Sequence, residues 1–278
     1  MELTGVLPIA ESREERLEDG DYIGEDGLVY CGKCGKRKQL KVVFANKTRV
    51  VRCMCDCESK ELEEKKKKEE YDEQMLRIRR LKDASMMDKK YREVIFEKYE
   101  VRKENKEAYE TAQKYACRFQ DMYKKNQGLF LYGPVGTGKS YTAACIGNYL
   151  LDHAKPVIMT SFVKILQDIW ESDREAEYIT ILNSASLLII DDLGTERETD
   201  YALEKVYNII DSRVRANKPM IITSNLELND MMECRDIRKK RIYDRILESC
   251  YPVYMGGKSF RVMKAAQRYD EMKNFLEE

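Results

Sequence analysis

Gly133-Pro-Val-Gly-Thr-Gly-Lys-Ser140 follows directly on the apolar run Gly128-Leu-Phe-Leu-Tyr132. The glycines let the backbone curl with its N–H groups pointing inward, at the spacing of a loop that cradles a phosphate chain. Lys139 is placed to reach the β- and γ-phosphates, and the Ser140 hydroxyl to complete the shell of a Mg²⁺ ion. The run before the loop reads as a buried strand, and the residues from Tyr141 onward have helical periodicity. Phosphates would therefore rest on a helix N-terminus. Their contacts would come from Gly133, Pro134, Val135, Gly136, Thr137, Gly138, Lys139, Ser140 and Tyr141.

Working outward from this loop, short apolar runs alternate with helical segments. The strands are expected at Leu129–Tyr132, Val157–Thr160, Leu187–Asp191, Met220–Ser224 and Val253–Met255. Helices are expected around Tyr141–Asp152, Phe162–Glu171, Asp200–Arg215 and Arg238–Ser249. Such alternation predicts an α/β sandwich on a mostly parallel sheet. Two of the runs end in chemistry. Leu187-Leu-Ile-Ile-Asp191-Asp192 closes on two carboxylates. Asp191 is suited to hold Mg²⁺ from the strand's C-terminal edge, and Asp192 to polarise an attacking water. Met220-Ile-Ile-Thr-Ser-Asn225 ends in an amide placed to orient that water or touch the γ-phosphate. The lone His153 reads as a surface residue, so no histidine-based triad is possible.

These residues resemble those of the AAA+ ATPases, and within them the replicative helicase loaders of the DnaC/DnaI type. The transposition helper ATPases of the IstB type are close relatives. The resemblance runs from about Phe96 to Arg261. It is carried by the phosphate loop, Leu188-Ile-Ile-Asp-Asp-Leu-Gly194, Ile222-Thr-Ser-Asn225, Arg241-Ile-Tyr-Asp-Arg-Ile-Leu247 and Ser259-Phe-Arg261. It implies a three-layer P-loop sandwich on a mostly parallel five-stranded sheet, with ATP and Mg²⁺ as cofactors and ATP hydrolysis as the activity. It makes Asn225 the sensor-1 residue and Arg261 the sensor-2 arginine. Arg245 becomes an arginine finger inserted into a neighbouring subunit's site, which implies a homo-oligomer. The partners implied are a replicative helicase and single-stranded DNA, in DNA replication. Two departures stand out. Asp192 is one methylene shorter than the glutamate usual in AAA+ proteins, which suits slow hydrolysis and a switch. The segment after Arg261 is short for a full helical lid.

A second constellation lies upstream. Cys31-Gly-Lys-Cys34 is a knuckle whose Gly32 and Gly35 allow a tight turn, and Cys53-Met-Cys55-Asp-Cys57 offers more thiols. Between them, Val42-Val-Phe44 and Val50-Val51 read as a hairpin around Ala-Asn-Lys-Thr. Knuckle, hairpin and second thiol group form a zinc-ribbon-like module with five candidates for four places. The choice among Cys53, Cys55 and Cys57 stays open, as do an iron–sulfur cluster or free thiols in place of Zn²⁺. So small a module needs its ion to fold. From Gly32 to Arg52 there are Lys33, Lys36, Arg37, Lys38, Lys41, Lys47, Arg49 and Arg52, and no acid. Such a face could track a phosphate backbone, with Phe44 stacking on a base, or dock an acidic protein surface. Cys117, Cys145, Cys234 and Cys250 read as packing residues.

The 50 basic and 50 acidic residues of this 278-residue chain cancel, so net charge selects no partner. Met1-Glu-Leu-Thr-Gly5 lacks the basic start and apolar core of a secretion signal, and no run suits a membrane span. Nine cysteines without such a signal suggest a reducing cytoplasm. The organisation expected is a zinc module over 1–58, a charged helical linker over 59–90 and an ATPase domain over 91–278. Three functions compete: a helicase loader, a transposition helper acting on duplex DNA, and an adaptor gated by nucleotide binding with little turnover.

Overall fold

A computed structural model describes residues 20–44, 47–172, 174–195 and 199–277. The chain divides into two units, Met1–Glu73 and Gln74–Glu278. Ala45 and Asn46 of the expected hairpin turn, and Met1–Gly5, lie outside the described residues.

In the first unit, β1 (Tyr22–Ile23) pairs antiparallel with β2 (Val29–Tyr30), and β3 (Gln39–Phe44) with β4 (Lys47–Arg52). The expected hairpin is therefore longer than its apolar residues alone, because Gln39↔Arg52 closes the ladder at its open end. The helix α1 (Asp56–Ala84) begins in this unit and continues beyond Glu73 into the second, and none of its residues is fully buried. Its Glu/Lys-rich first part is helical through propensity and exposed charge, and only its C-terminal part finds packing partners.

The second unit is built on β5 (Gly128–Tyr132), β6 (Val157–Ser161), β7 (Leu187–Leu193), β8 (Met220–Ser224) and β9 (Cys250–Tyr254). All four pairings are parallel, in the order β6-β7-β8-β5-β9. Strands covered on both faces need no polar alternation, which is why each appears in the sequence as a near-continuous apolar run. Alternate residues feed two cores. Leu129, Leu131, Val157, Met159, Leu187, Ile189 and Ile221 face one side, with α2 (Lys106–Cys117), α3 (Phe119–Lys124) and α4 (Lys139–Asp152). Phe130, Ile158, Leu188, Ile190, Met220 and Ile222 face the other. There they meet α5 (Phe162–Ser172), α6 (Glu175–Ser184), α7 (Asp200–Arg215), α8 (Leu228–Met232) and α9 (Ile237–Ser249). Each fully buried Leu or Ile contributes about 1.5–3 kcal/mol. The result is a three-layer α/β sandwich.

The five-stranded, mostly parallel sheet expected from the sequence is present, and all its pairings are parallel. Two features differ from the sequence reading. Leu81, read as part of a linker, packs against the core around α4, with Met87 buried beside it. Helices α2, α3, α6, α8 and α10 (Phe260–Glu277) were not expected. The last has no buried residue, so its apolar positions carry no sharp facial signal.

The order β7-β8-β5 sets the C-terminal ends of three consecutive sheet neighbours side by side. The phosphate loop, the acid pair and Asn225 leave from those three ends. No helix among the described residues is long and apolar enough to cross a membrane.

Candidate functional site

A cleft of about 360 Å³ opens at these strand ends, lined in part by Gly136, Lys139, Ser140, Asp191, Asp192, Asn225 and Arg261. Two of the loop's glycines are required by close approach. Gly136 has φ 83°, and a Cβ there would meet Ser259 Oγ at 2.1 Å; Gly133 has φ 130°, with Met255 O at 2.6 Å. The loop is braced by Thr137, whose hydroxyl donates to Pro134 O at 2.9 Å. The first turn of α4 begins at Lys139 with Gly138 as N-cap and no side-chain cap, so its N–H groups face the loop's interior. Lys139 is 6% exposed, and its ammonium donates to Gly133 O (2.8 Å) and Pro134 O (2.7 Å). Burial pushes its pKa down, and Asp192 opposes that shift. A buried ammonium held only by carbonyls suits the charge of a polyphosphate, so the residues fit ATP. Tyr141 sits farther out, its hydroxyl donating to Lys98 O at 3.4 Å and its ring edge-on to Tyr99.

The acids of β7 are tied to β8. Asp191 Oδ1 accepts from Thr223 Oγ1 at 2.6 Å, and Asp192 Oδ1 accepts from Asn225 Nδ2 at 3.0 Å. Asp192 has φ 63°, a conformation that costs a non-glycine residue energy and that recurs at functional sites. Ser140 and Asp191 line the same cleft and supply the oxygen donors that Mg²⁺ takes. Arg261 enters from the first turn of α10, which is docked on the loop by Phe260 N–H donating to Gly136 O at 2.9 Å. Lys90, Tyr91, Thr223, Phe260 and Lys264 also line the cleft. The sequence reading gave none of them a role: Thr223 and Phe260 passed as neighbours of Asn225 and Arg261 within their motifs, Lys90 closes the stretch read as linker, and Tyr91 opens the one read as the ATPase domain.

Arg245 is elsewhere. On α9 its Nε lies 3.0 Å from Asp211 Oδ1 and one Nη lies 2.8 Å from Glu248 Oε2, and hydrogen bonding to Glu248 raises its pKa further. It is not among the residues lining the cleft. His153 is an exposed C-cap of α4, stacked on Tyr149.

In the first unit the thiols of Cys31, Cys34, Cys55 and Cys57 lie within 4.8 Å of one another. Tetrahedral Zn–S bonding asks for sulfur separations of about 3.8 Å, so the set fits zinc. Cys53 is not in the cluster; its Sγ lies 3.4 Å from Arg37 O. The reason is local: Cys53 N–H continues the strand pairing by donating to Lys38 O, whereas Cys55 and Cys57 flank the first residue of α1. Gly35, at φ 69°, turns the knuckle, and a Cβ on Gly32 would strike Gly20 O at 1.7 Å. The Lys36 backbone N–H draws the Cys34 thiol down to about 6, and hydrogen bonding to Cys34 pushes Cys57 up to about 12. Four thiols this close share charge poorly until a cation joins them.

The acid-free basic stretch is not a uniform cationic face. Lys38 is buried in an ion pair with Asp21 (2.7 Å) and Glu58 (3.1 Å). Arg37 pairs with Asp26 and Arg52 with Glu58. The neutralising acids come from either side of the window that was read as basic. Among the described residues Lys47 and Arg49, at the hairpin's far end, make no ion pair. Phe44 is in β3, but its side chain lies outside what is described.

Comparison with known proteins agrees with this geometry. The model of the family described as IstB-like ATP binding protein matches residues 56–268, a span that includes every cleft residue. The replicative helicase loader DnaC of Buchnera aphidicola subsp. Schizaphis graminum is 25% identical over 178 residues, 62% of this chain and 70% of the relative. The replicative helicase loader DnaI of Bacillus subtilis is 25% identical over 150 residues, 49% of this chain and 48% of the relative. A crystal structure of DnaI superposes with a TM-score of 0.53 at 22% identity, covering 62% of this chain and 93% of that one. One of the DnaC helicase loader gives 0.52 at 20%, covering 61% and 100%. The fold is thus the AAA+ three-layer sandwich, with its phosphate loop, paired acids and Asn225 at adjoining strand ends. By these residues and by the span matched, the chain belongs to the IstB-like ATP binding protein family.

Proposed function

We propose that this protein is an ATP-hydrolysing loader that places a replicative helicase on single-stranded DNA and works as a homo-oligomer. One observation carries the reading: Arg261 enters the chain's own cleft, while Arg245 is presented on α9, away from it. The cleft would then be completed by the neighbour's Arg245. Lys139 and the first turn of α4 hold the phosphates, and Ser140 and Asp191 hold Mg²⁺, which neutralises phosphate charge when bound. Asn225 orients the Asp192 carboxylate, and that carboxylate positions water in line with the γ-phosphate. The names of the relatives support the helicase as partner. The test is co-purification with a hexameric replicative helicase in an ATP-dependent complex that deposits it on a single strand. No binding to the host's helicase rejects the reading, and a preference for duplex over single-stranded DNA favours the transposition helper.

Asp192 supports a second reading, a nucleotide-gated adaptor. Its shorter carboxylate, tied to Asn225, suits slow turnover. If Asp192→Asn keeps full loading while turnover is lost, the adaptor reading replaces the first.

Single-stranded DNA as a partner is supported by an exposed aromatic pair. Trp170 on α5 is 76% exposed and stands edge-on to Tyr201 of α7, ring centroids 5.9 Å apart. Unpaired bases stack on such rings, each at about 1–3 kcal/mol. Trp170→Ala should therefore weaken oligo-dT binding by about tenfold or more, read by fluorescence anisotropy, and leave ATP turnover unchanged. Unchanged affinity would dismiss Trp170 as a stacking platform.

The zinc reading makes its own prediction. The purified chain should carry one Zn²⁺, retained in Cys53→Ser and lost in Cys55→Ser or Cys57→Ser, as measured by elemental analysis. Loss in Cys53→Ser with retention in Cys57→Ser would refute the ligand set.

A further inference from the structure

We infer that Thr223 is the positioning residue that sets both acids of the cleft, a role that rests on the cleft's holding ATP and Mg²⁺. Strands β7 and β8 pair in register through Ile190↔Ile222, then the register shifts and Leu193 pairs with Ser224. Asp191 and Asp192 thus stand opposite Thr223 alone. This is a β-bulge, a device that re-aims side chains and strands a backbone group. Thr223 repairs it. Its hydroxyl donates to Asp191 Oδ1 at 2.6 Å and accepts from the Asp192 N–H at 2.8 Å.

The direction of this relay is fixed by chemistry. A backbone N–H can only donate, so the single hydroxyl proton is committed to the carboxylate. The first bond fixes the orientation of the acid suited to Mg²⁺. The second satisfies an N–H that has left the sheet ladder, which helps hold Asp192 at φ 63°. Asn225 Nδ2 extends the chain by donating to Asp192 Oδ1. At 1% exposure in a strand, Thr223 occupies a place where valine would fill the same space and suit the strand equally well. The hydroxyl is what valine lacks.

The test uses the full chain and two variants, Thr223→Val and Thr223→Ser. ATP affinity is measured by calorimetry with Mg²⁺ and with EDTA, alongside kcat and KM. Thr223→Val should lose about 10–100-fold in kcat and most of the Mg²⁺ enhancement of ATP affinity, with its affinity in EDTA unchanged. Thr223→Ser, which keeps the hydroxyl, should stay near the parent. Thr223→Ala repeats the comparison should the valine variant fold poorly. A Thr223→Val chain with the parent's kcat and Mg²⁺ dependence overturns the inference. So does a serine variant as impaired as the valine one, since packing would then be the cause. A parent that shows no Mg²⁺-dependent ATP binding overturns the nucleotide reading itself, and this inference with it.

Discussion

Replacing Arg245 with alanine is expected to lower ATP turnover about 10³-fold while the affinity of the chain for ATP stays the same. The size follows from where the guanidinium acts. A cation that meets only the charge developing on the transferred phosphoryl group stabilises the transition state and leaves the ground state alone. Its two partners in the chain divide the work. Asp211 is buried, forms an ion pair with Nε at 3.0 Å and is itself paired with Arg215 at 2.8 Å, which draws the guanidinium toward α7 by charge. Glu248 is more than half exposed and holds one Nη, so it is readily displaced by a phosphate. Asp211→Asn should therefore impair turnover in the direction of Arg245→Ala, whereas Glu248→Gln should maintain or raise it. Mixing Arg245→Ala chains with Lys139→Ala chains should restore part of the activity, because one supplies the finger and the other the intact cleft. Loss of ATP binding in Arg245→Ala, or no rescue on mixing, would place Arg245 in its own chain's chemistry and reject the shared site.

What the sequence could disclose depended on whether a role leaves a local trace. The strands were legible because burial on both faces demands continuous runs such as Leu187–Ile190, and the phosphate loop because only closely spaced glycines allow its curl. Asp191, Asp192 and Asn225 were legible as polar tips on such runs, and the sheet order β7-β8-β5 brings them together. Thr223 stood inside the Ile222-Thr-Ser-Asn225 motif but its role left no trace, since a threonine inside a strand is ordinary and its two bonds exist only where a bulge faces it. The zinc ligands were ambiguous for a similar reason. Cys53, Cys55 and Cys57 are equivalent by spacing, and only the change from strand β4 to helix α1 decides which of them turn toward Cys31 and Cys34. The basic stretch misled because its counter-charges, Asp21, Asp26 and Glu58, lie just outside the window.

Arg213 carries the largest expected effect on stability, and nothing in its neighbourhood of sequence marks it. It is 0% exposed, with no carboxylate among its hydrogen-bond acceptors. Its five hydrogen bonds go to the carbonyls of Leu182, Ala185, Ser186 and Pro219, at 2.9–3.3 Å. Burial depresses its pKa to about 10, so it remains a cation at neutral pH. Two effects oppose each other when it is removed. Replacing a buried ion with an apolar side chain relieves a desolvation cost. Against that, the carbonyls of Leu182, Ala185 and Ser186 lose the guanidinium as donor, each at about 1 kcal/mol or more, and Pro219 O is left with only the Leu188 N–H at 3.5 Å. The carbonyls win because they belong to the backbone and cannot be removed with the charge. Arg213→Met should thus cost about 3 kcal/mol, a fall in melting temperature of about 6–12 °C for a unit of this size. Arg213→Lys should recover only part of it, since a point ammonium cannot span the positions that the planar fork reaches. A loss below about 1 kcal/mol for methionine, from urea unfolding, would refute the argument. The acceptors also say why the residue matters to function. Ala185 and Ser186 lead into β7 and Pro219 into β8, so Arg213 staples the starts of the two strands whose far ends present Asp191, Asp192 and Asn225. Two residues away on α7, Asp211 pairs with Arg245. An Arg213→Lys chain held below its melting temperature should consequently bind ATP normally and yet turn it over more slowly, a split that a change in stability alone does not produce.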